Sequence, residues 1–144
     1  MSLALEEARA AANRGETPVG AVIVDPGTND VVARDGNRVR EQASALAHAE
    51  MLVLAHAARA LGRERLTGLD LYVTLEPCPM CAGAISSMRL RRLYYAASDP
   101  KTGGVETGAR VFDHPQCHHA PEIYAGIDEA ASTQLLQAFF AARR

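Results

Sequence analysis

The chain has 144 residues, enough for one domain that buries its own core without disulfide staples. Hydrophobic residues make up 48% and charged residues 22%, which excludes a disordered chain. The net charge of −2 excludes a surface that is basic all round, so any contact with RNA or a membrane must come from local patches.

The chain opens Met1-Ser2-Leu3-Ala4-Leu5-Glu6-Glu7, and the two glutamates interrupt the apolar run that a secretory signal needs. Leu5, Ala8 and Ala12 recur at helical spacing, so Ser2–Asn13 is predicted as a helix with Ser2 as a candidate cap and Gly15 as its stop. Val19–Val24 reads as a strand. Asp25-Pro26-Gly27-Thr28-Asn29-Asp30 is dense in turn residues, and Val31–Ala33 returns as a second strand, which predicts a hairpin. Gly36–Ser44 is polar and predicts a loop. Ala47–Leu61 predicts a helix that ends before Gly62. Leu69–Leu75 predicts a strand, with Leu71, Val73 and Leu75 alternating until Pro77 breaks it. Pro79 suits the first turn of a helix reaching about Arg89. Leu93–Ala97 predicts a strand, Lys101–Gly108 a glycine-rich loop, Glu122–Ala125 a short strand and Glu129–Ala142 a closing helix. The strand–helix–strand alternation implies parallel pairing with helices on both faces of one sheet. With no internal repeat and no linker, residues 1–144 are expected to form a single domain. No run of about 18 apolar residues occurs, so no transmembrane helix is expected.

Two short segments carry the chemistry: His48-Ala49-Glu50 and Pro77-Cys78-Pro79-Met80-Cys81. Each falls at the start of a predicted helix. Residues three apart on a helical turn share one side, so Cys78 and Cys81 can grip one metal ion. The positive end of a helix favours their thiolate forms. His48 adds a nitrogen, and one imidazole with two thiolates suits Zn²⁺. A structural zinc site closes with four protein ligands, whereas a catalytic one keeps three and leaves a position for water. Glu50 is badly spaced to be a fourth ligand beside His48, but it is well placed to move protons next to the metal.

His-x-Glu followed by Pro-Cys-x-x-Cys resembles the signature of the zinc deaminases. The likeness extends to Thr17-Pro18-Val19-Gly20-Ala21-Val22, Gly36-Asn37-Arg38, Leu71-Tyr72-Val73-Thr74-Leu75-Glu76, Cys81-Ala82-Gly83-Ala84 and Asp99-Pro100-Lys101-Thr102-Gly103. As an ordered set these resemble the bacterial tRNA-specific adenosine deaminases within the cytidine/nucleobase deaminase superfamily. The resemblance implies a three-layer α/β/α fold with a five-stranded mixed sheet, one Zn²⁺ per subunit on His48, Cys78 and Cys81, and Glu50 as the catalytic acid/base. It implies a homodimer that converts adenosine to inosine at the wobble position of a tRNA anticodon arm. It also implies substrate-binding positions at Asn37 (toward the flipped base), Ala49, Asp99 and Lys101 (toward the RNA backbone). The chain departs from the family pattern at Ser44-Ala45-Leu46-Ala47, Gly104-Val105-Glu106-Thr107-Gly108 and His118-His119-Ala120, and its basic tail is cut to Arg143-Arg144. These departures leave the zinc residues untouched and fall in loops that face substrate. The alternative they keep open is a deaminase of a free nucleobase or nucleoside.

Other readings of the same residues can be weighed. A Cys-x-x-Cys at a strand-to-helix junction also fits a thioredoxin-like redox pair, but such a pair needs neither His48 nor Glu50. Glu76 could be offered as the acid, but a structural role, holding loop backbone, fits it better. His114, Cys117, His118 and His119 match no standard ligand spacing and read as a turn. His56 reads as a surface or subunit-contact residue. Arg89, Arg91 and Arg92 could meet phosphates, as could Arg143 and Arg144, or simply form a solvated face. Three cysteines cannot all pair, and two of them sit three apart, as in a reducing compartment, so the protein is expected to be cytoplasmic.

Overall fold

The computed structural model describes residues 1–144. Its elements are α1 (Ser2–Asn13), β1 (Gly20–Asp25), β2 (Asp30–Gly36), α2 (Ala49–Leu61), β3 (Asp70–Leu75), α3 (Pro79–Ser87), β4 (Arg92–Ala97), a 3₁₀ turn (Val111–Asp113), β5 (Glu122–Ala125) and α4 (Glu129–Ala141). The five strands form one sheet in the order β2-β1-β3-β4-β5. β1 runs antiparallel to β2 and β3, while β3, β4 and β5 are parallel. The expected mixed five-stranded sheet with helices on both faces is what forms.

Alternation along the strands assigns each helix to a face. Ala21 and Ile23 of β1, Leu71 and Val73 of β3, and Leu93 and Tyr95 of β4 point into one cluster with Val53, Leu54 and Ala57 of α2 and Ala82 and Ile85 of α3. The opposite parity faces α1 and α4. Gly20 of β1 lies directly under α1, where an added Cβ would meet the carbonyl oxygen of Ala4 and come within 2.5 Å of the Ala8 nitrogen. Only a residue without a side chain lets the helix backbone sit that close. α4 packs on β4 and β3, and the buried Ser132 hydroxyl donates to the carbonyl of Thr74.

Several boundaries differ from the sequence expectation. Ser2 is the first helical residue; Met1 occupies the cap position, with no side-chain cap bond. β2 runs on through Arg34 and Asp35 to Gly36 rather than stopping at Ala33. Those charged residues carry no strand pattern in sequence, yet Arg34 is held by Glu6 and Glu7 of α1, and Asp35 by Arg38. α2 starts at Ala49, two residues after the expected Ala47, and Gly62 ends it in the left-handed conformation (φ 61°). α3 ends at Ser87, short of Arg89, which itself has φ 59°.

Candidate active site

The candidate ligands occupy the starts of two helices. His48 takes the cap position of α2 with extended backbone (φ −70°, ψ 150°), and its carbonyl accepts the Leu52 N–H at 3.1 Å. Cys78 takes the same position on α3 (φ −69°, ψ 171°), followed by Pro79, whose missing N–H costs no helical bond there. Cys81 lies in the first turn and is fully buried. His48 Nδ1 is 3.7 Å from Cys78 Sγ and 3.5 Å from Cys81 Sγ. All three ligand atoms lie within 4.8 Å of one another. Tetrahedral zinc with Zn–N near 2.1 Å and Zn–S near 2.3 Å would set nitrogen and sulfur about 3.6 Å apart. The donor set therefore fits zinc in chemistry and in spacing. No other His, Cys, Asp or Glu joins the cluster, which leaves one coordination position open to a small molecule. An imidazole facing both sulfurs is a feature that a redox pair does not require.

Charge at the site follows from burial and from the helix starts. The Cys78 thiol is pulled down to about 4 by the hydrogen bond from Cys81, aided by His48. Cys81, which gives that bond and is buried, is pushed up. Glu50, in the first turn of α2 and only 4% exposed, is pushed up to about 7, chiefly because burial penalises its charged form. A carboxyl poised there can both take and give a proton near neutrality.

These groups open into a cavity of about 570 Å³ whose wall includes His48, Glu50, Cys78, Asn37, Asp99 and Thr102. The Asn37 side-chain oxygen accepts the Ala49 N–H at 2.8 Å, which leaves the Asn37 amide NH₂ for a ligand. The four residues named as substrate-binding therefore divide: Asn37 and Asp99 line the cavity, whereas Ala49 and Lys101 do not. Ala49 is fully buried, with its N–H taken by Asn37, and Lys101 is exposed on the loop that Asp99 caps through the N–H groups of Lys101 and Thr102. Phe139, Phe140 and Arg143 at the end of α4 also reach the wall. Of these, the sequence reading flagged only Arg143, because an adjacent Phe pair looks like ordinary core and α4 meets the cavity only after docking on the sheet.

The remaining candidates settle into supporting roles. Glu76 is buried and accepts loop N–H groups, as expected. His119 Nε2 bonds the carbonyl oxygen of Leu90 (2.7 Å), the Cys117 thiol donates to the His119 carbonyl, and His114 Nδ1 accepts the Gln116 N–H, so that cluster is a turn and assembles no ligand set. Arg91 forks onto Asp70 through Nε and Nη2, and Arg92 pairs with Glu122. His56 is partly exposed, 4.0 Å from Asp35.

The family model for the cytidine and deoxycytidylate deaminase zinc-binding region matches residues 1–97, which include all three candidate ligands and Glu50. The chain is 57% identical over 144 residues to the tRNA-specific adenosine deaminase of Agrobacterium fabrum, covering 100% of this chain and 93% of that one. It is 45% identical to the enzyme of the same name from Rickettsia bellii, covering 97% of each chain. A solved structure from a study of A-to-I editing by tRNA:A34 deaminases at the wobble position of transfer RNA superposes with a TM-score of 0.92 at 57% identity, over 94% of this chain and 97% of that one. A guanine deaminase from Bacillus subtilis has a TM-score of 0.64 at 29% identity, over 99% of this chain and 90% of that one. The chain belongs to the zinc-binding cytidine and deoxycytidylate deaminase family, and within it to the tRNA-specific adenosine deaminases.

Proposed function

We propose that this protein is a zinc-dependent aminohydrolase that converts adenosine to inosine at the wobble position of a tRNA anticodon arm. The observation that carries the chemistry is a three-ligand centre, His48, Cys78 and Cys81, opening into a cavity beside a buried carboxyl, Glu50. Full-length similarity to tRNA-specific adenosine deaminases supports the substrate.

His48, Cys78 and Cys81 would hold the zinc, which would supply the acidity that makes a water nucleophilic near neutral pH. Glu50 moves the protons: it takes one from the incoming water, gives it to ring N1 of the adenine, and passes the second to the amino group, which leaves as ammonia. Water and adenosine become inosine and ammonia. Asn37, fixed by the Ala49 N–H, offers its NH₂ to the flipped base, and Asp99 and Thr102 shape the wall next to it. Ala49 acts through that bond to Asn37, while exposed Lys101 is left to meet RNA phosphate.

The active form proposed is a homodimer of one deaminase domain per chain, acting in the cytoplasm. Sedimentation should give twice the 15.4 kDa chain mass. No helix is long and apolar enough to cross a membrane. The test of function is ammonia release by the zinc-loaded protein on an anticodon stem-loop carrying adenosine, beside free adenine, guanine, cytosine and their nucleosides. Inosine in the stem-loop supports the proposal. Turnover of a free base or nucleoside, with none on the stem-loop, would replace it with the small-molecule reading.

A further inference from the structure

Two buried carboxylates lie in the wall of the catalytic cavity outside the metal centre, and neither meets a cation. Glu76 is 2% exposed and Glu16 is 3% exposed. Glu76 Oε1 accepts the N–H groups of Val105 (3.2 Å), Glu106 (2.9 Å) and Thr107 (3.0 Å) and the Thr107 hydroxyl (2.9 Å). Its Oε2 accepts the Asp99 N–H (2.9 Å) and the Ser98 hydroxyl (3.2 Å). Glu16 Oε1 accepts the N–H groups of Arg40 and Glu41, each at 2.9 Å. Both negative charges are thus answered by donors of a loop rather than by an ion pair.

The loops they hold form parts of the same wall. Glu76 organises residues 98–107, which bring Asp99 and Thr102 to the cavity. That loop also rests on the ligand turn: Gly104 donates its N–H to the Pro77 carbonyl at 2.8 Å, and a Cβ at Gly104 would lie 2.6 Å from the Pro79 nitrogen. Glu16 organises the segment from Arg38 to Ala47, which connects Asn37 to His48 and contributes Val39 and Arg40 to the wall. These are two of the segments where the sequence departs from its family pattern, at 44–47 and 104–108. A carboxylate that binds main-chain N–H groups fixes a loop's path whatever side chains the loop carries.

We infer that Glu16 and Glu76 are positioning residues, each holding one substrate-facing loop by its backbone so that the cavity admits the target nucleotide and its neighbours. The choice of an RNA substrate in the test rests on the function proposed above. Replacing either carboxylate by the isosteric amide removes the negative charge and turns one of its two oxygens into a donor that faces loop N–H groups, so the hold on the loop weakens while the metal ligands stay. For Glu16→Gln and Glu76→Gln, zinc should remain at one ion per chain, KM on the anticodon stem-loop should rise about tenfold, and kcat should stay within about threefold. Native-state amide exchange should quicken at least tenfold at Arg40 and Glu41 in E16Q, and at Asp99 and Val105–Thr107 in E76Q, each without the other.

If KM per zinc-loaded molecule is unchanged, or if kcat alone falls, the inference is overturned. If wild type is inactive on the stem-loop, the substrate reading has failed and the exchange pattern alone decides: quickening confined to the matching loop supports the positioning role, and unchanged or global exchange overturns it. Should E76Q not fold, Ser98→Ala removes one donor to Oε2, the only partner of that hydroxyl, leaves the carboxylate intact, and should quicken exchange at Asp99. Failure to do so overturns the role of Glu76.

Discussion

The carboxyl of Glu50 is nearly inaccessible to solvent and lies in the first turn of α2, two residues after His48 and outside the three-ligand cluster, so the tasks of ligand and of proton carrier can be separated. Glu50→Ala should bind one zinc per chain, unfold like wild type, and lose about 10²- to 10⁴-fold in turnover, read by zinc analysis, thermal melts and ammonia release. Normal turnover would remove Glu50 from the mechanism. Cys81→Ala, in contrast, should leave two protein ligands and lose zinc in dialysis against a chelator too weak to strip wild type. At this scale much was legible. His48, Glu50, Cys78 and Cys81 are close in sequence to helix starts, and local spacing fixes which side they face. Phe139 and Phe140 were not legible, because their place in the wall depends on contacts that no local pattern encodes.

Among the elements, α2 and α3 aim their starts at one point from the same face of the sheet, and the turn after β3 fixes the second of them. That turn has no spare room. Gly104→Ala should destabilise the fold by roughly 1–3 kcal/mol and weaken zinc retention, since the backbone of Cys78 and Pro79 would have to move. Urea unfolding with and without zinc checks both. α4 depends on a different anchor. Ser132→Ala removes that bond to the Thr74 carbonyl and should cost roughly 0.5–1.5 kcal/mol while leaving the ligands in place. Every helix and strand was visible in the pattern of apolar residues and turn formers. The ends were not, and the reason is tertiary. Arg34 and Asp35 extend β2 because α1 and Arg38 supply partners for charges that would otherwise favour a loop.

For the molecule as a whole, the sheet changes from antiparallel to parallel pairing at β3, and the metal turn leaves that strand at its carboxyl end. Open α/β sheets place their ligands beyond such strand ends, so the fold delivers the cavity where the motif needs it. Because the proposed ion joins α2 to α3, zinc should stabilise the entire domain. Removing it should lower the melting temperature, by the equivalent of about 4 kcal/mol when free zinc stands a thousandfold above its dissociation constant. The most direct measurement is a crystal structure of the zinc-loaded protein phased at the zinc edge. One ion should be bonded to His48 Nδ1, Cys78 Sγ and Cys81 Sγ, with a solvent oxygen as its fourth partner within hydrogen-bonding reach of Glu50. A fourth protein atom on that ion, or an ion bound elsewhere with this site empty, would contradict it.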